Sequence, residues 1–99
     1  MSLKEGAVLF ARIDYRIEGR EETYQDGEDT MTYWQGIAGQ RAILAGVFGD
    51  LQLGQIDGAM VLFEAKDLQE AKEISDNDPI IARGFYRYEL YKWNVMLSS

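Results

Sequence analysis

Residues 56–93, IDGAMVLFEAKDLQEAKEISDNDPIIARGFYRYELYKW, decide how this chain folds. Gly58 to Ala65 (GAMVLFEA) is a short, almost continuously apolar run, which predicts a strand central in its sheet. Asp67 follows, with Glu70 three residues later, the spacing of a capping box at a helix start. Leu68, Ala71 and Ile74 then recur at helical spacing, with Glu70, Lys72 and Glu73 pointing outward. Pro79 is the single proline of the chain. Asp before it and Gly84 after it are the grammar of a short helical turn that punctuates two elements. Phe85 to Met96 reads as a last strand, with Phe85, Arg87, Glu89, Tyr91 and Trp93 on one face and Tyr86, Tyr88 and Leu90 on the other.

Outward from that stretch, Gly6 to Tyr15 (GAVLFARIDY) predicts a first strand, alternating Ala11, Ile13 and Tyr15 against Arg12 and Asp14. Residues 16–29 hold six acidic side chains and two glycines, Gly19 and Gly27, and read as a flexible acidic loop. Thr30 to Gln40 predicts a helix whose apolar face is Met31, Trp34, Ile37 and Ala38. Its Gly36 and Gly39 are expected to mark a close approach to the sheet. Ala42 to Phe48 predicts a second strand. The order is β-α-β-β-α-β, an α+β, ferredoxin-like arrangement with an antiparallel sheet. Residues 1–99 form one domain, and Met1-Ser2-Leu3 read as an expression remnant. Two helices cover one face of such a sheet. The aromatic-rich final strand leaves an apolar surplus on the other, so a homodimer packed face to face is expected.

Composition narrows the chemistry. The chain has no histidine and no cysteine, which removes the commonest general base, the usual serine triad, thiolate nucleophiles and disulfides. Seventeen acidic residues against ten basic ones give a net charge of −7, the wrong sign for nucleic acid or an anionic membrane surface. No apolar run approaches the roughly 20 residues of a membrane span, and no basic-then-apolar signal opens the chain, so a soluble, cytoplasmic protein is expected. The acidic segment lacks the spacing of a calcium loop, and the glycines make no phosphate-binding pattern. No metal and no cofactor are expected.

Leu44-Ala45-Gly46, Gly58 opening an apolar strand, Asp67-Leu68-Gln69-Glu70-Ala71, Asp78-Pro79 five residues before Gly84, and a final strand ending in Lys92-Trp93 resemble the YCII-related (YciI-like) family. The likeness runs from about Gly39 onward and, more loosely, over the first strand. It implies a dimeric α+β barrel, a pocket between helices and sheet, and acid–base chemistry through an aspartate–histidine pair. Asp78 matches that aspartate. The histidine has no counterpart, since the corresponding region reads Asp29-Thr30-Met31-Thr32-Tyr33-Trp34.

Asp78 therefore carries two readings, a cap for the turn after Pro79 and a catalytic proton-transfer group. As a cap alone, its replacement by alanine costs about 1 kcal/mol. Arg12, Arg83 and Arg87 are suited to grip a small anionic ligand, and Tyr33 to donate a hydrogen bond to an anionic or aromatic one. The competing reading pairs Arg12 and Arg87 with Asp14 or Glu89. Two functions follow: a dimeric small-molecule-binding protein with lyase- or isomerase-type acid–base chemistry, or a non-catalytic dimerisation module with a filled interior.

Overall fold

The structure is a computed structural model that describes residues 8–97 and Ser99. Met1-Ser2-Leu3, and the expected start of the first strand at Gly6 and Ala7, lie outside the described residues. The elements run β1 (Leu9–Arg16), α1 (Tyr24–Ala38), β2 (Ile43–Phe48), β3 (Gly58–Glu64), α2 (Leu68–Asp76), α3 (Pro79–Ala82) and β4 (Tyr86–Trp93). A turn of 3₁₀ helix, Leu51–Leu53, joins β2 to β3. The four strands form one antiparallel sheet in the order β2-β3-β1-β4. The fold is α+β with the ferredoxin-like order, and β3 is central as its apolar run predicts.

Register assigns every strand residue to a face. Phe10 pairs with Phe63, Arg12 with Val61 and Leu90, and Asp14 with Ala59 and Tyr88; these point toward the helices. Phe10, Trp34, Val61, Phe63, Ala65 and Ala71 form the main core, with Ile37, Ile43, Ile74 and Leu90 packed on it. Trp34 is the anchor, 5.3 Å from the Phe63 ring centroid and edge-on to Tyr33. Burying a side chain of this size contributes roughly 1.5–3 kcal/mol. Leu9, Ala11 and Leu62 make a smaller cluster on the opposite face. Around it Leu44, Phe48, Tyr91 and Trp93 are exposed. Among the described residues, the sheet thus presents an apolar face that no helix covers.

Gly58 has a local reason. A Cβ there would lie 2.8 Å from the Asp14 carbonyl oxygen, so only glycine lets β3 start against β1. Gly84, at φ +78°, ends the turn after Pro79 in the left-handed region.

Several expectations need correction. The acidic segment is not a loop throughout, because α1 begins at Tyr24. Thr23 caps it by accepting from Asp26 N, while the Asp26 carboxylate accepts from Thr23 N at 2.8 Å. The face of α1 turned inward is Thr30, Tyr33, Trp34 and Ile37, and Met31 is 57% exposed. On α2, Leu68 is exposed and Ser75 is buried instead, its hydroxyl donating to Ala71 O at 2.8 Å. Gly36 and Gly39 face open space, and Gly39 is simply the C-cap of α1. The last strand is shorter than its pattern, Tyr86–Trp93.

Candidate functional site

Strand alternation puts two charged residues, Arg12 and Asp14, on the covered face of the sheet, at 1% and 3% exposure. Arg12 Nε donates to Asp14 Oδ1 and Nη2 to Asp14 Oδ2, both at 2.7 Å, a bidentate pair along one strand. The same Nη2 donates to Asp78 Oδ2 at 2.8 Å. The guanidinium lies 5.3 Å from the Trp34 ring and 5.9 Å from that of Tyr88, within cation–π range of both. Burial works to lower the Arg12 pKa, but Asp14 and Asp78 outweigh it and hold it above its usual value. Burial pushes the Asp14 carboxyl up, against the pull of Arg12.

Asp78 is fully buried and meets donors on both oxygens. Oδ2 accepts from Arg12 and from Trp34 Nε1, each at 2.8 Å. Oδ1 accepts from the Thr30 hydroxyl at 2.7 Å and from Ile80 N at 3.1 Å. The last bond is the cap of α3, with Pro79 in its first turn, as the sequence predicts. Thr30 Oγ1 also accepts from Ile80 N, at 3.0 Å. One carboxylate therefore ties β1, α1 and α3 together.

Between α1 and the sheet lies a cleft of about 230 Å³. Met31, Trp34, Val47, Ile56, Val61 and Ile80 supply apolar wall, and Arg12, Asp14, Thr30, Glu22 and Tyr86 its polar groups. Asp78 is not on the wall; its three side-chain partners Arg12, Thr30 and Trp34 are. A second polar cluster adjoins it. Arg16 Nε donates to the Tyr86 hydroxyl at 2.9 Å and Nη2 to Glu22 Oε1 at 2.6 Å, while Tyr86 donates to the same Glu22 oxygen at 3.2 Å. Burial raises the Tyr86 pKa, and its hydrogen bond raises that of Arg16. Two buried polar atoms have no hydrogen-bond partner among the described residues: Arg12 Nη1 and Glu22 Oε2.

Of the residues marked out in the sequence, Arg12 and Asp78 meet. Tyr33 lies close by on α1, but its hydroxyl donates to Ile74 O at 2.6 Å. Arg83 is half-exposed and pairs with Asp26 and Asp29 of α1 at 2.7 and 2.8 Å. Arg87 is on the other face of the sheet from Arg12, 4.4 Å from the Tyr15 ring and 3.8 Å from Glu89. Thr30, Trp34 and Glu22 join the site without having been marked as polar participants. The Thr-x-x-Asp capping box at Thr23 is the signal for the start of α1, and the i,i+4 spacing of Thr30 and Trp34 sets the two on one face of it. Among the described residues no group of three or more potential ligands is placed to hold a metal ion, and no helix is long and apolar enough to cross a membrane.

No family model matches the chain, and no curated protein sequence does. Among solved structures, it is similar to the 5-chloro-2-hydroxyhydroquinone dehydrochlorinase TftG from Burkholderia phenoliruptrix AC1100, in complex with 2,5-dihydroxybenzoquinone. The TM-score is 0.70 at 16% identity, over 87% of this chain and 93% of the other. At that identity the likeness establishes the fold, and both chains share the α+β architecture described above.

Proposed function

We propose that this chain is a YCII-related, homodimeric protein that holds a small molecule in the cleft between α1 and the sheet, where lyase- or isomerase-type proton transfer can be supported. The observation that carries this reading is the cleft itself: about 230 Å³ of space with apolar walls, lined in part by Arg12, whose buried guanidinium has one nitrogen without a hydrogen-bond partner. Small-molecule sites have this make-up, apolar walls with a few fixed polar groups. An open cleft favours ligand binding over a dimerisation module with a filled interior. The neighbour of the same fold, an enzyme in complex with a single-ring compound, supports a ligand of that size.

In this reading Asp14, not Asp78, exchanges protons with the ligand. Asp14 lines the cleft and its burial raises its pKa, the direction an acid–base group needs. Asp78 stands behind the wall with donors on both oxygens, and it positions Arg12, Thr30 and Trp34. The dimer forms through the uncovered apolar face of the sheet, closing an α+β barrel, and a cytoplasmic setting goes with this reading.

Nitrogen–proton NMR spectra recorded against a set of one-ring fragments test the cleft. Shifts should gather at the Trp34 indole and at the amides of Gly27 and Gly46, all on the cleft wall. Shifts confined to Tyr91, Trp93 and their neighbours on the open face would reject the reading.

A further inference from the structure

Resting on that assignment of the cleft, we infer that its ligand binds uncharged, as a single ring bearing a protonated hydroxyl group, and that anionic rings are excluded. Three independent features lead there. The first is the pair of orphaned atoms. Arg12 Nη1 is a donor without an acceptor and Glu22 Oε2 an acceptor without a donor, and both residues line the cleft. Leaving either unmet in a buried setting costs free energy. A hydroxyl accepts and donates at one oxygen, so it can answer either atom. A carboxylate or phenolate can answer only the guanidinium, and would add a negative charge to a cleft that Glu22 and Asp14 already line.

The second feature is the charge already in place. The ionisable groups of the two polar clusters are Arg12, Asp14 and Asp78 on one side, and Arg16, Glu22 and Tyr86 on the other. Three carboxylates stand against two guanidiniums, and both guanidiniums are already in ion pairs, at 2.6–2.8 Å. An anion entering such a site is desolvated without gaining a free cation, a combination that is unfavourable in a low-dielectric setting. The third is size. A dry apolar cavity of about 150 Å³ accommodates benzene, so about 230 Å³ admits one substituted ring. Met31, Trp34, Ile56 and Val61 provide the apolar surface for it.

Phenol, benzoate and toluene separate these requirements, because they share a ring and differ in the hydroxyl and the charge. Each is titrated at pH 7 into the full chain while the Trp34 indole and the Gly27 and Gly46 amides are followed by NMR. Phenol is expected to bind about tenfold or more tightly than benzoate or toluene. Glu22→Ala, checked for an intact spectrum elsewhere, should weaken phenol severalfold, because the hydroxyl then has only Arg12 Nη1 to answer, and should narrow the gap between phenol and benzoate. Benzoate binding as tightly as phenol overturns the exclusion of anions. Toluene binding as tightly as phenol overturns the role of the hydroxyl, and in both cases the cleft survives as a ligand site. If none of the three moves the Trp34 indole, the cleft reading falls and this inference falls with it.

Discussion

On the helix-covered face of the sheet, Arg12 and Asp14 stand where a strand buried in a small domain would normally place aliphatic side chains. On the uncovered face, Leu44, Phe48, Tyr91 and Trp93 stand where water would favour polar ones. The covered face holds a guanidinium and two carboxylates at 3% exposure or less, and the uncovered face holds the surplus apolar area. Burying three charges is a poor way to gain stability, since their desolvation offsets most of their mutual attraction. Such a network is better understood as shaping the cleft beside it. An uncovered apolar sheet face, by contrast, is the kind of surface that marks an interaction site.

The largest expected effect tests the covered face. Asp78→Ala removes a carboxylate that accepts four hydrogen bonds, leaving Trp34 Nε1, Thr30 and one bond of Arg12 unanswered. Breaking a buried pair on one side costs about 3–5 kcal/mol. That well exceeds the roughly 1 kcal/mol of a lost cap, so the sequence-based figure is revised upward. Asp78→Asn keeps one oxygen for Thr30 and Ile80 but turns an amide NH₂ toward Arg12 and Trp34, and should cost nearly as much. Urea unfolding of both variants measures this. A loss near 1 kcal/mol for alanine would mean that the network is energetically idle and that Asp78 is only a cap.

Next in size is the uncovered face. If two copies meet there, light scattering at micromolar concentration gives twice the 11.3 kDa chain mass, and Trp93→Glu returns it to a single mass with the fold retained. Arg87→Glu gives a graded version. Arg87 lies on that face over the Tyr15 ring, whereas Arg20 lies away from it, donating to Arg83 O at 3.0 Å. Arg87→Glu should weaken association about tenfold, and Arg20→Glu should leave it unchanged. Equal association constants for the two would show that the apolar face is not the contact.

The same contrast explains what could be read from the sequence. β3, α2 and the Asp78-Pro79 turn were legible because their signals are local: an apolar run, a capping box, and a proline held between Asp and Gly. The covered face was harder to read, because hydrophobic periodicity finds a buried face only when that face is apolar. Thr30 belongs to the inward face of α1 and Ser75 to that of α2, yet both are polar, so the apolar pattern passes over them and on α2 takes in the exposed Leu68. Arg12 and Asp14 alternated visibly with Ala11 and Ile13, but alternation gives two faces without saying which is covered. The start of α1 was hidden by acidic residues and Gly27, although Thr23 and Asp26 carried the capping box in plain view.

The smallest expected effect lies where the covered face meets solvent. Tyr88 points to the helix side from β4, and its hydroxyl donates to Asp76 Oδ1 at 2.6 Å at the end of α2. Burial, then the bond to Asp76 and its charge, push the Tyr88 pKa up to about 12. The Tyr88 hydrogen bond, with help from Lys72, pulls the Asp76 pKa below its usual value. The two shifts act at opposite ends of the pH scale. Tyr88 binds its proton more tightly when folded, so its contribution is complete below the unfolded value near 10 and is lost as pH rises toward 12. Asp76 releases its proton more readily when folded, so its contribution is present above the ordinary carboxylate range and is lost as pH falls through the depressed value. Tyr88→Phe removes the first effect and shrinks the second. At neutral pH it should cost about 0.5–1.5 kcal/mol, the worth of one hydrogen bond. Its unfolding free energy should then decline less than that of the parent between pH 10 and 12. Parallel curves over that window would show that Tyr88 titrates as it does in the unfolded chain, and that the polar character of the covered face stops short of its rim.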